Sequence, residues 1–182
     1  MTKLQLSIRE ELDRLRDFTR NFTSFATIGR PRLEVRDLRE SLDEFRSTFA
    51  SAWPSLTLQI EGDTHADVAA DREMLRRVLV NLCNNSAMAA NGTGGVVSFR
   101  ISRDDSRVVL DIVDDGPGIP ASIRARLFEP YTTTRAIGEG MGLGLAISKK
   151  IMLDHGGDIE LLDSPRGTAF RLTLRVAEGP TS

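Results

Sequence analysis

"RVVLDIVDDGPGIP", residues 107–120, is the stretch whose reading decides the fold. Its first half alternates, and strict alternation describes a strand with one face in a core. The same period carries Asp114 onto the face of Val108, Leu110 and Ile112. An aspartate is almost never buried without a partner, so Asp114 is expected to accept hydrogen bonds from something at the edge of the core. Gly116 and Gly118 allow positive φ and close approach of the backbone to a flat ligand, while Pro117 and Pro120 stiffen the turn. A carboxylate beside such backbone suits the exocyclic amine of adenine. A strand-ending Asx turn explains the same residues equally well.

Outward from this strand, "VVSFRIS" (96–102) precedes Asp104-Asp105-Ser106 and completes a hairpin. Upstream, Leu56–Ile60 and Val68–Ala70 read as short strands, and Asp71 as the N-cap of a helix running to about Ala90. Downstream, a glycine-rich stretch leads to a helix from about Gly142 to His155. "DIELLD" (158–163) and "TAFRLTLRV" (168–176) then form a closing strand pair. Hairpin-joined strands with amphipathic helices between them predict an α+β fold, a two-layer α/β sandwich with helices on one face of a mixed sheet. Leu4, Ile8, Leu12, Leu15, Phe18, Phe22 and Phe25 recur at helical spacing and predict a long amphipathic arm. Gly29-Arg30-Pro31 breaks it, and a second helical pattern follows through Leu38, Leu42, Phe45 and Phe49. The expected division is a helical arm over 1–30 and a main domain over 31–182.

A length of 182 residues suits one well-buried domain with an appendage. The formal net charge of −2 gives no whole-chain field for nucleic acid or an anionic membrane, and neither is expected as a partner. A single Cys83 forms no internal disulfide and, without neighbouring ligands, no metal site, which suits a reducing compartment. With no signal-peptide pattern and no run long enough to span a bilayer, the chain is expected to be soluble and cytoplasmic, though its parent protein can still be membrane-anchored.

Two further groups carry chemistry. Asn81 and Asn85 share a helical stripe with Met74, Val78 and Met88. Burying an amide without partners costs about 1 to 3 kcal/mol, so each needs either a polar ligand or loop backbone. Gly138, Gly140, Gly142 and Gly144 lead into a helix, where free N–H groups and the positive helix end favour phosphate. Neither the Walker pattern nor the dinucleotide glycine pattern fits this cluster, and a flexible linker is the alternative.

The order of these groups is more specific than any one of them. Asn81/Asn85 on a helix, Asp114-Asp115-Gly116-Pro117-Gly118 after a strand, Leu127-Phe128-Glu129-Pro130-Tyr131, and Gly140-Met141-Gly142-Leu143-Gly144-Leu145 closely resemble the N, G1, F and G2 boxes of sensor histidine kinases. These kinases share the Bergerat-type ATP-binding fold with DNA gyrase, heat-shock chaperone and mismatch-repair ATPases. The resemblance covers roughly residues 36–177, and is greatest to nitrogen-regulation sensor kinases.

It implies that Asp114 receives the adenine amine with help from Thr168 through water. It further implies that Asn85 with Asn81 contacts Mg²⁺ and the phosphates, and that residues 128–141 form a lid anchored by Phe128, from which Arg135 reaches the γ-phosphate of ATP. The hydrolysing clamps of the superfamily resemble one another in carrying a glutamate one turn before the metal-binding Asn. Here that position is Asn81, which cannot take a proton, and transfer is favoured over hydrolysis. The arm resembles the second helix of a dimerisation hairpin whose histidine helix is missing, and its seam suits a homodimer or a fold-back. His65 and His155 are poor acceptor candidates, one in a polar connection and one near a helix C-terminus where a cation favours the dipole. The implied partners are the histidine hairpin of the full-length kinase and a response regulator. The rivals are an anti-sigma-type serine kinase and a nucleotide-sensing or scaffold module without transfer. Met88, Tyr131 and Thr134 depart from the family's commoner residues.

Overall fold

The computed structural model describes residues 29–103, 106–133 and 142–177. The proposed arm, and with it the dimer seam, lies outside them, as do Thr134, Arg135, Gly138, Gly140 and the hairpin tip at 104–105. Seven strands and four helices follow in the order β1 (Glu34–Asp37), α1 (Leu38–Phe49), β2 (Leu56–Gly62), β3 (Asp67–Ala70), α2 (Arg72–Ala90), β4 (Gly95–Arg103), β5 (Arg107–Asp114), α3 (Ala121–Arg124), α4 (Gly144–Asp154), β6 (Asp158–Leu162) and β7 (Ala169–Arg175). A five-stranded sheet runs β2-β4-β5-β7-β6, with β1 and β3 paired separately. Only β2 and β4 are parallel within the larger sheet, because the chain crosses over through α2 between them. The expected α+β sandwich is therefore present, as are the β4–β5 and β6–β7 pairs.

Alternation sets the two faces. Val108, Leu110 and Ile112 of β5 and Phe170, Leu172 and Leu174 of β7 are buried under the helices. On the opposite face a row of charges crosses the whole sheet. Glu61, Arg100, Asp111, Arg171 and Glu160 stand opposite one another in register on β2, β4, β5, β7 and β6, alternating in sign. Arg171 grips Asp111 with both ends of its fork, at 2.8 Å each.

The cap expected at Asp71 is present. Asp71 Oδ1 accepts the N–H groups of Glu73 and Met74, and Asn91 in the left-handed region ends α2. Asp37 caps α1 in the same way. α1 is fixed to the sheet by Phe45, whose ring meets Phe99 edge-on at 6.2 Å and lies 5.9 Å from Trp53. Cys83 is wholly buried, and burial pushes its thiol up to about 12, as befits a small core hydrophobe. Among the described residues no helix is long and apolar enough to cross a membrane.

Candidate functional site

β5 ends at Asp114, and three donors from three parts of the chain converge on its carboxylate. Oδ1 accepts the N–H of Gly116 and of Thr168, each at 3.0 Å. Oδ2 lies 2.9 Å from Ser86 Oγ. That hydroxyl is also 3.2 Å from the Leu82 carbonyl, but it has one proton, and the shorter, charged acceptor takes it. The Asx turn weighed as an alternative is thus present, yet it occupies a single oxygen. A carboxylate offers about four lone-pair sites, so Oδ2 keeps capacity for a further donor.

Backbone packs tightly around this group. Gly167 has φ +71°, and a Cβ there would sit 1.8 Å from the Asp114 carbonyl oxygen, so no other residue fits. Gly118 also takes positive φ, at +81°, and Gly116 lies against Oδ1. Thr168 is buried beside them.

The asparagines sit differently from the expected stripe. The core face of α2 consists of Leu75, Val78, Leu79, Leu82, Cys83 and Ser86, and Asn81 and Asn85 lie on its flank. Met88 is 49% exposed, since a stripe stepping by three and four residues drifts around the helix and reaches solvent by its end. Asn81 Nδ2 donates to Ser148 Oγ of α4 at 3.0 Å, a side-chain partner rather than the loop backbone considered above. Its other amide atom faces Gly144, where an added Cβ would come within 2.1 Å. Gly144 is therefore needed for helix-to-helix contact, a role the anion-site reading did not include. Asn85 lines the cleft one turn further on.

Leu143 is buried at the start of α4, and no side chain caps that helix. Gly142 has φ +63° and would clash at 2.6 Å with Thr132 O if it carried a Cβ, while its carbonyl accepts the Tyr131 N–H at 3.0 Å. Residues 131–132 and 142 thus touch across the intervening segment. Phe128 is held edge-on to Phe170 at 6.3 Å, with Lys149 Nζ 5.2 Å from its ring. Lys149 is itself tied to Asp158 at 2.5 Å and to the Ile159 carbonyl at 3.0 Å.

Asn81, Asn85, Asp114, Gly118, Leu143, Gly144, Thr168 and Phe170 line one open cleft of about 1470 Å³. Among its described lining residues Asp114 is the sole anion and Arg77 the sole cation. Sequence reasoning missed both Ser86 and Arg77. Ser86 was marked by a hydroxyl three and four residues from Cys83 and Leu82, on the buried face, and Arg77 by lying one turn before Asn81.

Neither histidine belongs to the cleft lining. His155 is only 2% exposed; its Nδ1 faces the Ile151 carbonyl at 2.7 Å and its Nε2 accepts the Asp71 N–H at 3.0 Å. A ring that accepts at Nε2 is neutral, so the expected cation at the helix end is replaced by a buried link between α4 and the cap of α2. His65 lies between Asp37 and Asp67.

The family model for histidine kinase-, DNA gyrase B-, and HSP90-like ATPases matches residues 70–178. The chain is 37% identical over 167 residues to the nitrogen regulation protein NtrY of Azorhizobium caulinodans, spanning 87% of this chain and 21% of that protein. It is 34% identical over 176 residues to the C4-dicarboxylate transport sensor protein DctB of Rhizobium meliloti, spanning 94% of this chain and 28% of that one. The chain spans between a fifth and about half the length of these relatives and of NtrB from Rhodobacter capsulatus. Among solved structures, the mycobacterial sensor histidine kinase MprB superposes with a TM-score of 0.68 at 29% identity, over 81% of this chain and 99% of that one. Histidine kinase ThkA, in complex with its response regulator protein TrrA, gives 0.71 at 26% identity, over 93% and 49%. Cleft, glycine turns and these likenesses agree: the chain belongs to the histidine kinase-, DNA gyrase B-, and HSP90-like ATPase family.

Proposed function

We propose that this chain is the catalytic ATP-binding part of a two-component sensor histidine kinase, which binds Mg²⁺·ATP and passes the γ-phosphoryl to a histidine outside this chain. One observation carries the reading: the described cleft residues hold a single carboxylate, and it is committed to the base end by Ser86, Gly116 and Thr168. Asn81 stands where the hydrolysing clamps carry a glutamate, and an amide takes no proton from water, which disfavours hydrolysis, while transfer to a better nucleophile needs mainly positioning. The buried, doubly bonded ring of His155 makes it no acceptor.

In this reading Asp114 Oδ2 accepts the adenine amine, and Gly116, Gly118 and Thr168 shape the base pocket. Leu143 and Gly144 open α4 towards the phosphates, with Gly138, Gly140, Gly142 and Arg135 completing the lid. Phe128 anchors that lid against Phe170 and Lys149. Asn85 suits Mg²⁺, because its amide oxygen is a hard ligand that adds no charge. Asn81, whose amide is already bonded to Ser148, fits better as the clamp that fixes α4 beside it. A Mg²⁺ ion held there would neutralise phosphate charge. By analogy with ThkA, the downstream partner is a response regulator.

The test mixes the chain with a separate histidine-bearing helical hairpin and γ-labelled ATP. Acid-labile, alkali-stable label on the hairpin is the expected result. Acid-stable label on a partner serine supports the serine-kinase rival, and ATP binding with no label on any acceptor supports a sensing module.

A further inference from the structure

We infer that Arg77 is the residue that reads the terminal phosphate of the bound nucleotide and so separates ATP from ADP. This rests on the nucleotide reading of the cleft given above. Arg77, Asn81, Asn84, Asn85 and Met88 all line the cleft and follow one another at steps of three, four or one along the same flank of α2. Asp114 is fixed to that helix at Ser86. Nine residues separate Ser86 from Arg77, which at the helical rise places Arg77 about 13 Å along the axis towards the N-terminus. Between the two stands Asn81, clamped to Ser148 and pressed against Gly144, so the uncapped start of α4 opens at an intermediate height.

A ligand whose base sits on Asp114 and whose first phosphates meet the start of α4 therefore ends beside Arg77. The charges agree with that direction. The described lining holds one anion, at the base end, and one cation, at the far end. A guanidinium presents a planar fork that matches two phosphate oxygens at once, which an ammonium does not. The longest nucleotide gains the most from such a group, and a ligand without phosphates gains nothing.

The test is calorimetric titration of ATP, ADP and adenosine, with Mg²⁺ present, into the wild-type chain, Arg77→Gln and Arg77→Lys. Arg77→Gln is expected to weaken ATP about 10- to 100-fold, ADP clearly less, and adenosine not at all. Arg77→Lys keeps the charge without the fork and is expected to fall between wild type and Arg77→Gln for ATP alone. Circular dichroism and the unfolding midpoint report whether each variant is folded. If Arg77→Gln fails to fold, the ratio of ATP to ADP affinity in Arg77→Lys decides. An unchanged ATP-to-ADP ratio in the folded variants overturns the inference, as does an equal loss for all three ligands. A wild-type chain that binds none of the three overturns the nucleotide reading itself, which is a separate result.

Discussion

Asp114 carries a charge where its strand period demands an apolar side chain, and the structure shows what makes that tolerable: Ser86, Gly116 and Thr168 share its two oxygens. Asp114→Asn keeps an acceptor for the two N–H groups at Oδ1 and replaces Oδ2 with an amide donor, towards which the Ser86 hydroxyl turns to accept. The fold should survive this change with a small shift in unfolding midpoint. ATP affinity should fall by about 1.5 to 3 kcal/mol, the worth of a charge-assisted hydrogen bond now turned into donor against donor. Inosine triphosphate, with an acceptor oxygen in place of the amine, should lose less. Equal calorimetric Kd values for ATP in wild type and variant would remove the base from Asp114. His155 is a residue of the opposite kind, since both ring nitrogens are spent inside the protein and none of its chemistry faces a ligand.

Two helices, α2 and α4, meet through one amide and one missing methyl. Adding a Cβ at Gly144 forces the Asn81 side chain to rotate away, which breaks its bond to Ser148. In the wild-type background Gly144→Ala should therefore destabilise the fold, despite the better helix propensity of alanine. With Asn81→Ala already in place the same change should be neutral or stabilising. A double-mutant cycle by chemical denaturation should give a coupling of about 1 to 2 kcal/mol, and strict additivity would separate the two residues. Elements of this kind were legible in the sequence only in part. The long alternations of β5 and β7 and the 3.6-residue period of α1 and α2 announced themselves, as did the cap at Asp71. β1 did not, because four residues make no period and its residues pair with β3 residues 30 to 36 positions away in sequence. The site was legible where a residue broke a local rule, as Asp114 does. It was illegible where a residue obeyed local rules and met its partner only through the fold: Ser86 is an ordinary helix residue until β5 arrives from 28 positions downstream. Arg77 reads as solvent-facing until the cleft closes beside it.

At the scale of the whole molecule, β1 and β3 join the two ends of the described chain. Val68 bridges to Val176, and the Ala177 N–H reaches the Asp67 carbonyl. In this small sheet Asp37 stands directly opposite Asp67, a like-charge pairing that disfavours the strands. The His65 ring lies between them, bonded to Asp37 through Nδ1 and 3.3 Å from Asp67 through Nε2. The hydrogen bond to Asp37, then the charges of Asp67 and Asp37, raise the His65 pKa above its ordinary value of 6.5. Asp37 shifts the other way: burial opposes its charge, but the N–H groups of Glu40 and Arg39 and the His65 ring outweigh it and hold the carboxyl below its ordinary 3.8. The signs fix the pH window. A raised histidine stabilises the fold fully below 6.5 and loses that contribution as pH climbs through its folded value, whereas a depressed aspartate contributes above 3.8 and loses it as pH drops through its folded value. The unfolding midpoint should thus be highest in mildly acidic buffer and decline as pH rises past 6.5. His65→Gln, which still donates a hydrogen bond but carries no charge, should flatten that decline while leaving the acid side in place. A decline of the same size in the variant would assign it to another group, and would mean that the two aspartates tolerate each other without the imidazolium between them.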